Sequence, residues 1–190
     1  MDLRFCLDPH HPNELTAVLS KTTMAGVDGV AALMQIAYDE LRAPLQAAKE
    51  DWDGGFRQLV LTERDRSLFC AHAKHPEDGR VRIFRPRRLT FGPRSGPPQF
   101  CRRSAALDFV AGELLLIPST SHVDDHAIVD KPGPSASSAH QCFVQLACLL
   151  GESLKASKAV PPRSAQEQAT SSLILVGVEW SLCQDHDSIL

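Results

Sequence analysis

The feature that most constrains this chain is a change of hydrophobic period at "DWDGG", residues 51–55. Before it, Val30, Leu33, Met34, Ala37 and Leu41 recur at helical spacing within "GVAALMQIAYDELRAPL", an apolar stripe that faces a core. Asp28 is placed to cap this helix, and Pro44 interrupts or restarts it. After the break come short segments rich in aromatic and branched residues, "FRQLVLT", "SLFCAHA", "RVRIF" and "LTF", linked by "ERDR" and "HPEDG". The links read as hairpin turns, the second on an Asp78-Gly79 signal, so residues 56–91 are expected to form an antiparallel meander.

The remaining segments mix both periods. "PNELTAVLSKTT" suits a short helix capped by Asn13, and "GPRSGPP" at 92–98 is a loop. Beyond it the pattern predicts a helix over "RRSAALDFV", a strand over "ELLLI", a polar loop "SHVDDHAIV", and a Pro/Ser-rich loop "KPGPSASS". A helix over "AHQCFVQLACLLGESLKA" and a strand over "SSLILVGVEWSL" complete the chain. Helices precede and follow a block of strands, which is the α+β class. At 190 residues the expected organisation is one domain, 1–190, large enough to bury a core without metal or disulfide support.

Composition narrows the setting. With 43% hydrophobic and 23% charged residues, the chain departs from the depleted, highly charged composition of disordered proteins. Asp2 and Arg4 interrupt any signal-peptide core, and the longest apolar runs are strand-sized, so no membrane span is expected. Cys6, Cys70, Cys101, Cys142, Cys148 and Cys183 include no CxxC pair. Free thiols in a reducing compartment follow, with the cytoplasm expected and the nucleus as an alternative.

Charge is distributed unevenly. Residues 57–103 carry twelve Lys/Arg against four acids, a surplus of eight positive charges in a chain of net charge −3. Arg80, Arg82, Arg85, Arg87, Arg88 and Arg94 are interleaved with Phe84 and Phe91 in "GRVRIFRPRRLTFGPR". Guanidinium forks bind phosphate or carboxylate in pairs, and aromatics among them suit stacking of unpaired bases. The same arginines could instead be a solvated strand face neutralised by the protein's own acids. The expected function is a non-catalytic binding module that presents this surface to an acidic partner: a protein, a phosphorylated ligand or nucleic acid.

The loop "SHVDDHAIV" offers ligand types that metals accept, but His122, Asp124 and His126 in an extended segment would spread over roughly 13 Å. No metal site and no cofactor is therefore expected. A different chemistry comes from order along the chain. "AGELLLIPSTSHVDDHAIVD" followed by "HQCFVQLACLLG", and then "PPRSAQEQA", resembles the permuted NlpC/P60 and lecithin:retinol acyltransferase-like proteins of papain-like fold, over residues 111–169. That resemblance implies a thiol hydrolase or acyltransferase with Cys142 as nucleophile, His122 or His126 as base, and Asp124 or His140 orienting it. A thiolate near a helix N-terminus and an imidazole is activated in this way. Without that role, Cys142 is a small residue flanking the stripe of Phe143, Leu146, Ala147, Leu150 and Leu154.

Overall fold

A computed structural model describes residues 10–14, 16–17, 24–162 and 172–181. The chain is α+β and divides into two compact units, residues 1–22 with 54–100 and residues 23–53 with 101–190. Each is described by itself. No helix among the described residues is long and apolar enough to cross a membrane.

The larger unit is built on a three-stranded antiparallel sheet in the order β1(Gln46–Asp51), β5(Asp125–Asp130), β4(Ser119–His122). Helix α2(Val27–Leu41) precedes the sheet. Its cap is Gly26, two residues before the expected Asp28, and Asp28 sits in its first turn. Arg42, at φ 48°, turns the chain out of the helix and Pro44 keeps it out. The next segment, "QAAKED", is made of good helix formers, yet it is strand β1. Burial on both faces overrides its propensity.

Strand alternation sorts the core. Ala47, Ala127 and Val129 join Val30 and Ala37 of α2 in one cluster, with Trp180 and Val176 packed against it. On the opposite face His126 stacks near Phe143 of α5(Pro134–Leu149), at 5.3 Å between centroids. Phe143, Ala139 and Ala147 form the buried stripe of α5. Pro134 opens that helix at its first position, where its missing N–H costs nothing, so "PSASS" is helical and not a loop.

Helix α4(Gly96–Leu115) runs longer than expected. Its first five residues belong to the smaller unit and the rest to the larger. "ELLLI" is not a strand: Glu113–Leu115 complete the helix, and Leu116, at φ 54°, ends it with its N–H on the Gly112 carbonyl. Only Ile117 of that run is buried. The C-terminal strand is likewise a hairpin, β6(Ser172–Leu175) and β7(Val178–Ser181), turned at Val176-Gly177 with both φ values positive.

In the smaller unit, residues 56–91 form one hairpin where a meander was expected. β2(Ala71–Lys74) pairs with β3(Val81–Phe84) across the His75–Gly79 turn, with Gly79 at φ 66°. "FRQL" forms a 3₁₀ turn over Gly55–Gln58. "ERDRSL" forms α3(Glu63–Leu68), because Thr62 Oγ accepts the Asp65 N–H and caps it. Leu61, Phe69 and Leu89 form its small core. At the N-terminus α1(His10–Glu14) covers Asn13, which lies inside it and not at its cap. The rest of the expected helix lies largely outside the described residues.

Candidate functional site

The stretch "SHVDDHAIV" is a β-hairpin. β4 and β5 pair from Ser119↔Ile128 to His122↔Asp125, which leaves Val123 and Asp124 as a two-residue turn. Val123 sits at φ 55°, a region that a β-branched side chain enters only under strain. Two bonds hold it there: Ser104 Oγ, buried in α4, donates to the Val123 carbonyl at 2.9 Å, and the Trp52 N–H donates to the Asp124 carbonyl at 3.2 Å.

Strand register then places three aspartates at one end of the sheet. β1 and β5 pair so that Asp51 stands opposite Asp125, with Asp124 next to it in the turn. Asp51 is buried, Asp125 half-buried and Asp124 exposed, a graded opening toward solvent. Asp51 accepts from Lys158 Nζ at 3.1 Å, and Asp125 accepts from Lys49 Nζ at 2.8 Å. Burial pushes the Asp51 carboxyl above its usual range. The Lys158 bond opposes this, and repulsion from Asp124 and Asp125 adds to it.

The segment after α5 lies along β1. Lys155 N–H donates to the Asp51 carbonyl at 2.7 Å, Lys49 and Val160 exchange main-chain bonds, and the Asp53 N–H reaches Ser153 O. These bonds bring Lys158 to Asp51.

The other expected residues fall elsewhere. His122 Nδ1–H donates to the Ala25 carbonyl at 2.6 Å. His126 is fully buried, bonded to Trp52 and Asp108. His140 bonds Glu50 at 2.6 Å. Cys142 is exposed on α5, and neither His122 nor His126 hydrogen-bonds it. Its neighbour Phe143 is the residue that faces His126. In the smaller unit Arg82 pairs with Asp78 at 2.7 Å, Arg85 with Glu63 at 3.2 Å, and Arg88 donates to the Gln58 carbonyl. Arg80, Arg87 and Arg94 are exposed, and among the described residues their guanidinium groups have no partner; the Arg80 and Arg94 main-chain N–H groups donate to Asp78 and Asn13.

Asp124 was expected as a metal-accepting side chain or as an orienting group, and Asp125 only as one of the metal-accepting types in the same loop; Asp51, Lys49 and Lys158 were not expected. The available signal was "KEDW" ahead of a turn-forming "DD". It was hidden because β1 carries a helix-forming composition. Among the described residues, no three His, Cys, Asp or Glu side chains are grouped so that they could hold a metal ion; Asp51 and Asp125 are engaged by lysines. The three carboxylates are nonetheless hard oxygen donors of the kind that Mg²⁺ and Mn²⁺ accept.

No family model and no curated protein matches the chain. Solved structures do. One is a foamy viral protease-reverse transcriptase in complex with double-stranded DNA, with TM-score 0.63 and 14% identity over 94% of this chain and 27% of that one. Another is a mutant of the prototype foamy virus protease-reverse transcriptase, with TM-score 0.59 and 16% identity over 81% of this chain and 18% of that one. At these identities the likeness is one of fold, and the chain spans about a quarter or less of the proteins it resembles.

Proposed function

We propose that this chain carries a divalent-cation-dependent centre for nucleotidyl transfer on nucleic acid, with Asp51, Asp124 and Asp125 as its carboxylates. The observation that carries this reading is the placement of those three aspartates at one end of a sheet, on a turn held against backbone strain. Strain kept in place by surrounding bonds is characteristic of functional sites. The likeness in fold to protease-reverse transcriptases, one of them on double-stranded DNA, supports the substrate class.

In this reading Asp51, deep in the sheet, and Asp125 bind Mg²⁺ or Mn²⁺, while Asp124 presents its carboxylate from the exposed turn. Such ions, when bound, stabilise the attacking and leaving oxygens of an in-line displacement. The chain's own part is to hold the carboxylates in place and to exchange counter-charges. Lys158 is half-exposed and free to swing off Asp51; Lys49 is enclosed between Asp125 and the Ile174 carbonyl and stays as a fixed positive charge. The arginine-rich surface of the smaller unit fits the same substrate class. Exposed Arg80, Arg87 and Arg94 would take the phosphate backbone of nucleic acid as the acidic partner.

The test is Mn²⁺ binding by paramagnetic resonance, with extension of a primed template on the same preparation. Asp51→Asn and Asp125→Asn are expected to weaken Mn²⁺ binding about tenfold or more and to abolish extension. Unchanged Mn²⁺ binding in both variants would overturn the reading.

A further inference from the structure

Behind the three aspartates, on the opposite face of the same two strands, lies a buried polar chain that the carboxylate chemistry does not use. Trp52 follows Asp51 and His126 follows Asp125, so alternation turns both toward α4 and α5. Trp52 Nε1–H donates to His126 Nε2 at 2.6 Å. An indole nitrogen only donates, which makes Nε2 the acceptor and puts the ring proton on Nδ1. That proton is donated to Asp108 Oδ1 at 3.2 Å, and Ser119 Oγ donates to the same oxygen at 3.0 Å. His126 is 0% and Trp52 2% exposed, and Phe143 packs against the imidazole.

A packing role alone is met by any apolar pair of this size. Hydrogen bonds add direction and separation, which packing specifies poorly. Here they join the residue after one aspartate to the residue after another. The main chain repeats the link, since the Trp52 N–H also holds the Asp124 carbonyl. Residue 52 thus grips the hairpin twice, at the turn through its backbone and at His126 through its side chain.

We infer that Trp52 and His126 are positioning residues that fix the separation of Asp51 from Asp124 and Asp125, with Asp108 and Ser119 selecting the His126 tautomer that accepts from Trp52. The role given to the aspartates rests on the proposed function; the positioning does not.

Two measurements on the full chain separate these claims. In Trp52→Phe, which keeps a ring and deletes the donor, amide exchange at residue 52 is expected to quicken about tenfold, with mid-strand Ala48 and Ile128 unchanged. In His126→Gln, whose amide oxygen can accept from Trp52, exchange should stay near wild type. Equal acceleration at all three amides, or none, overturns the inference. If Trp52→Phe does not fold, Asp108→Leu, which removes the acceptor at the far end of the chain, is expected to give the same local change, and its absence there overturns the inference equally. Mn²⁺ affinity is expected to fall about tenfold in Trp52→Phe and to stay near wild type in His126→Gln. Wild-type affinity in Trp52→Phe overturns the positioning role. Absence of Mn²⁺ binding in the wild type, with the exchange pattern intact, overturns the carboxylate reading and upholds the positioning.

Discussion

Asp51 and Asp125 face each other directly across the β1–β5 pair, and each is neutralised by its own lysine, Lys158 and Lys49. The pairing does not make the site comfortable. Burial, joined by repulsion from Asp124 and Asp125, outweighs the Lys158 bond and holds the Asp51 carboxyl above its usual range. A carboxyl raised in the folded state favours folding below its unfolded pKa and loses that contribution as pH rises through the folded value. At neutral pH the charge is therefore a cost. Asp51→Asn is expected to raise stability by about 0.5–2 kcal/mol, seen as a higher melting temperature at pH 7. A clear drop would show that the Lys158 pair dominates.

At alkaline pH two other groups act together. The bond to Asp51 pushes Lys158 up, helped by attraction to the same carboxylate, and burial pushes the Cys101 thiol up. Each contribution is complete below the unfolded pKa and is lost as pH rises through the folded one. The urea midpoint is expected to decline from about pH 8.5, the ordinary thiol value, with a further fall beyond about 10.4 from Lys158. Lys158→Met should remove the later part only; an unchanged profile in that variant would count against the assignment.

The hairpin turn stores strain at Val123, whose φ of 55° suits glycine. A non-glycine residue held there costs about 1–3 kcal/mol, partly offset because glycine frees the unfolded chain. Val123→Gly is expected to stabilise the fold by about 1 kcal/mol at unchanged m-value in urea, while loosening the turn that carries Asp124. Destabilisation would mean that the Val123 side chain contributes more by packing than its backbone costs.

The α+β class was legible because the 3.6-residue period of α2 is a strong signal and because "AHAK" and "RVRIF", on either side of the Asp78-Gly79 turn, do form strands, although the other runs within 56–91 do not. The Asp78-Gly79 turn was legible for the same kind of reason: its chemistry is local. The candidate site was not. β1 reads as helix in "QAAKED", and only pairing with β5 and burial on both faces make it a strand. Asp51 meets Asp125 through a register between segments more than seventy positions apart, which no local pattern encodes. The run "ELLLI" misled for the complementary reason, as three adjacent leucines mark apolarity but no period.

Cysteine chemistry separates the thiol alternative from the carboxylate reading. Cys70, Cys142 and Cys148 are exposed, and Cys101 is buried with its thiol pushed up. Iodoacetamide is expected to label the exposed three at similar rates and Cys101 far more slowly, since the thiolate is the reacting form. Cys142→Ser should leave stability within about 0.5 kcal/mol, whereas Phe143→Ala, one position on and fully buried, should cost about 3–5 kcal/mol. Selective labelling of Cys142 that depends on His122 or His126 would revive the nucleophile.

The arginine surface gives the last prediction, because the internal ion pairs divide its members. Arg82 and Arg85 are already engaged by Asp78 and Glu63, and Arg88 by the Gln58 carbonyl. Arg80, Arg87 and Arg94 are exposed, and among the described residues their guanidinium groups have no partner, since Arg80 and Arg94 are bonded to Asp78 and Asn13 through their main-chain N–H groups. If the surface takes phosphates, the second set holds the charge available to them without breaking a pair. Arg80→Ala, Arg87→Ala and Arg94→Ala combined should weaken binding of a single-stranded oligonucleotide and lower the slope of log affinity against log salt by about 0.7 per lost contact. Stability should stay within about 0.5 kcal/mol, as expected for exposed side chains. Arg82→Ala and Arg85→Ala together should change the slope less, since each already spends its charge on a neighbouring acid. An equal loss from both sets would mean that the internal pairs open on binding, and no loss from either would remove nucleic acid as the partner of this surface.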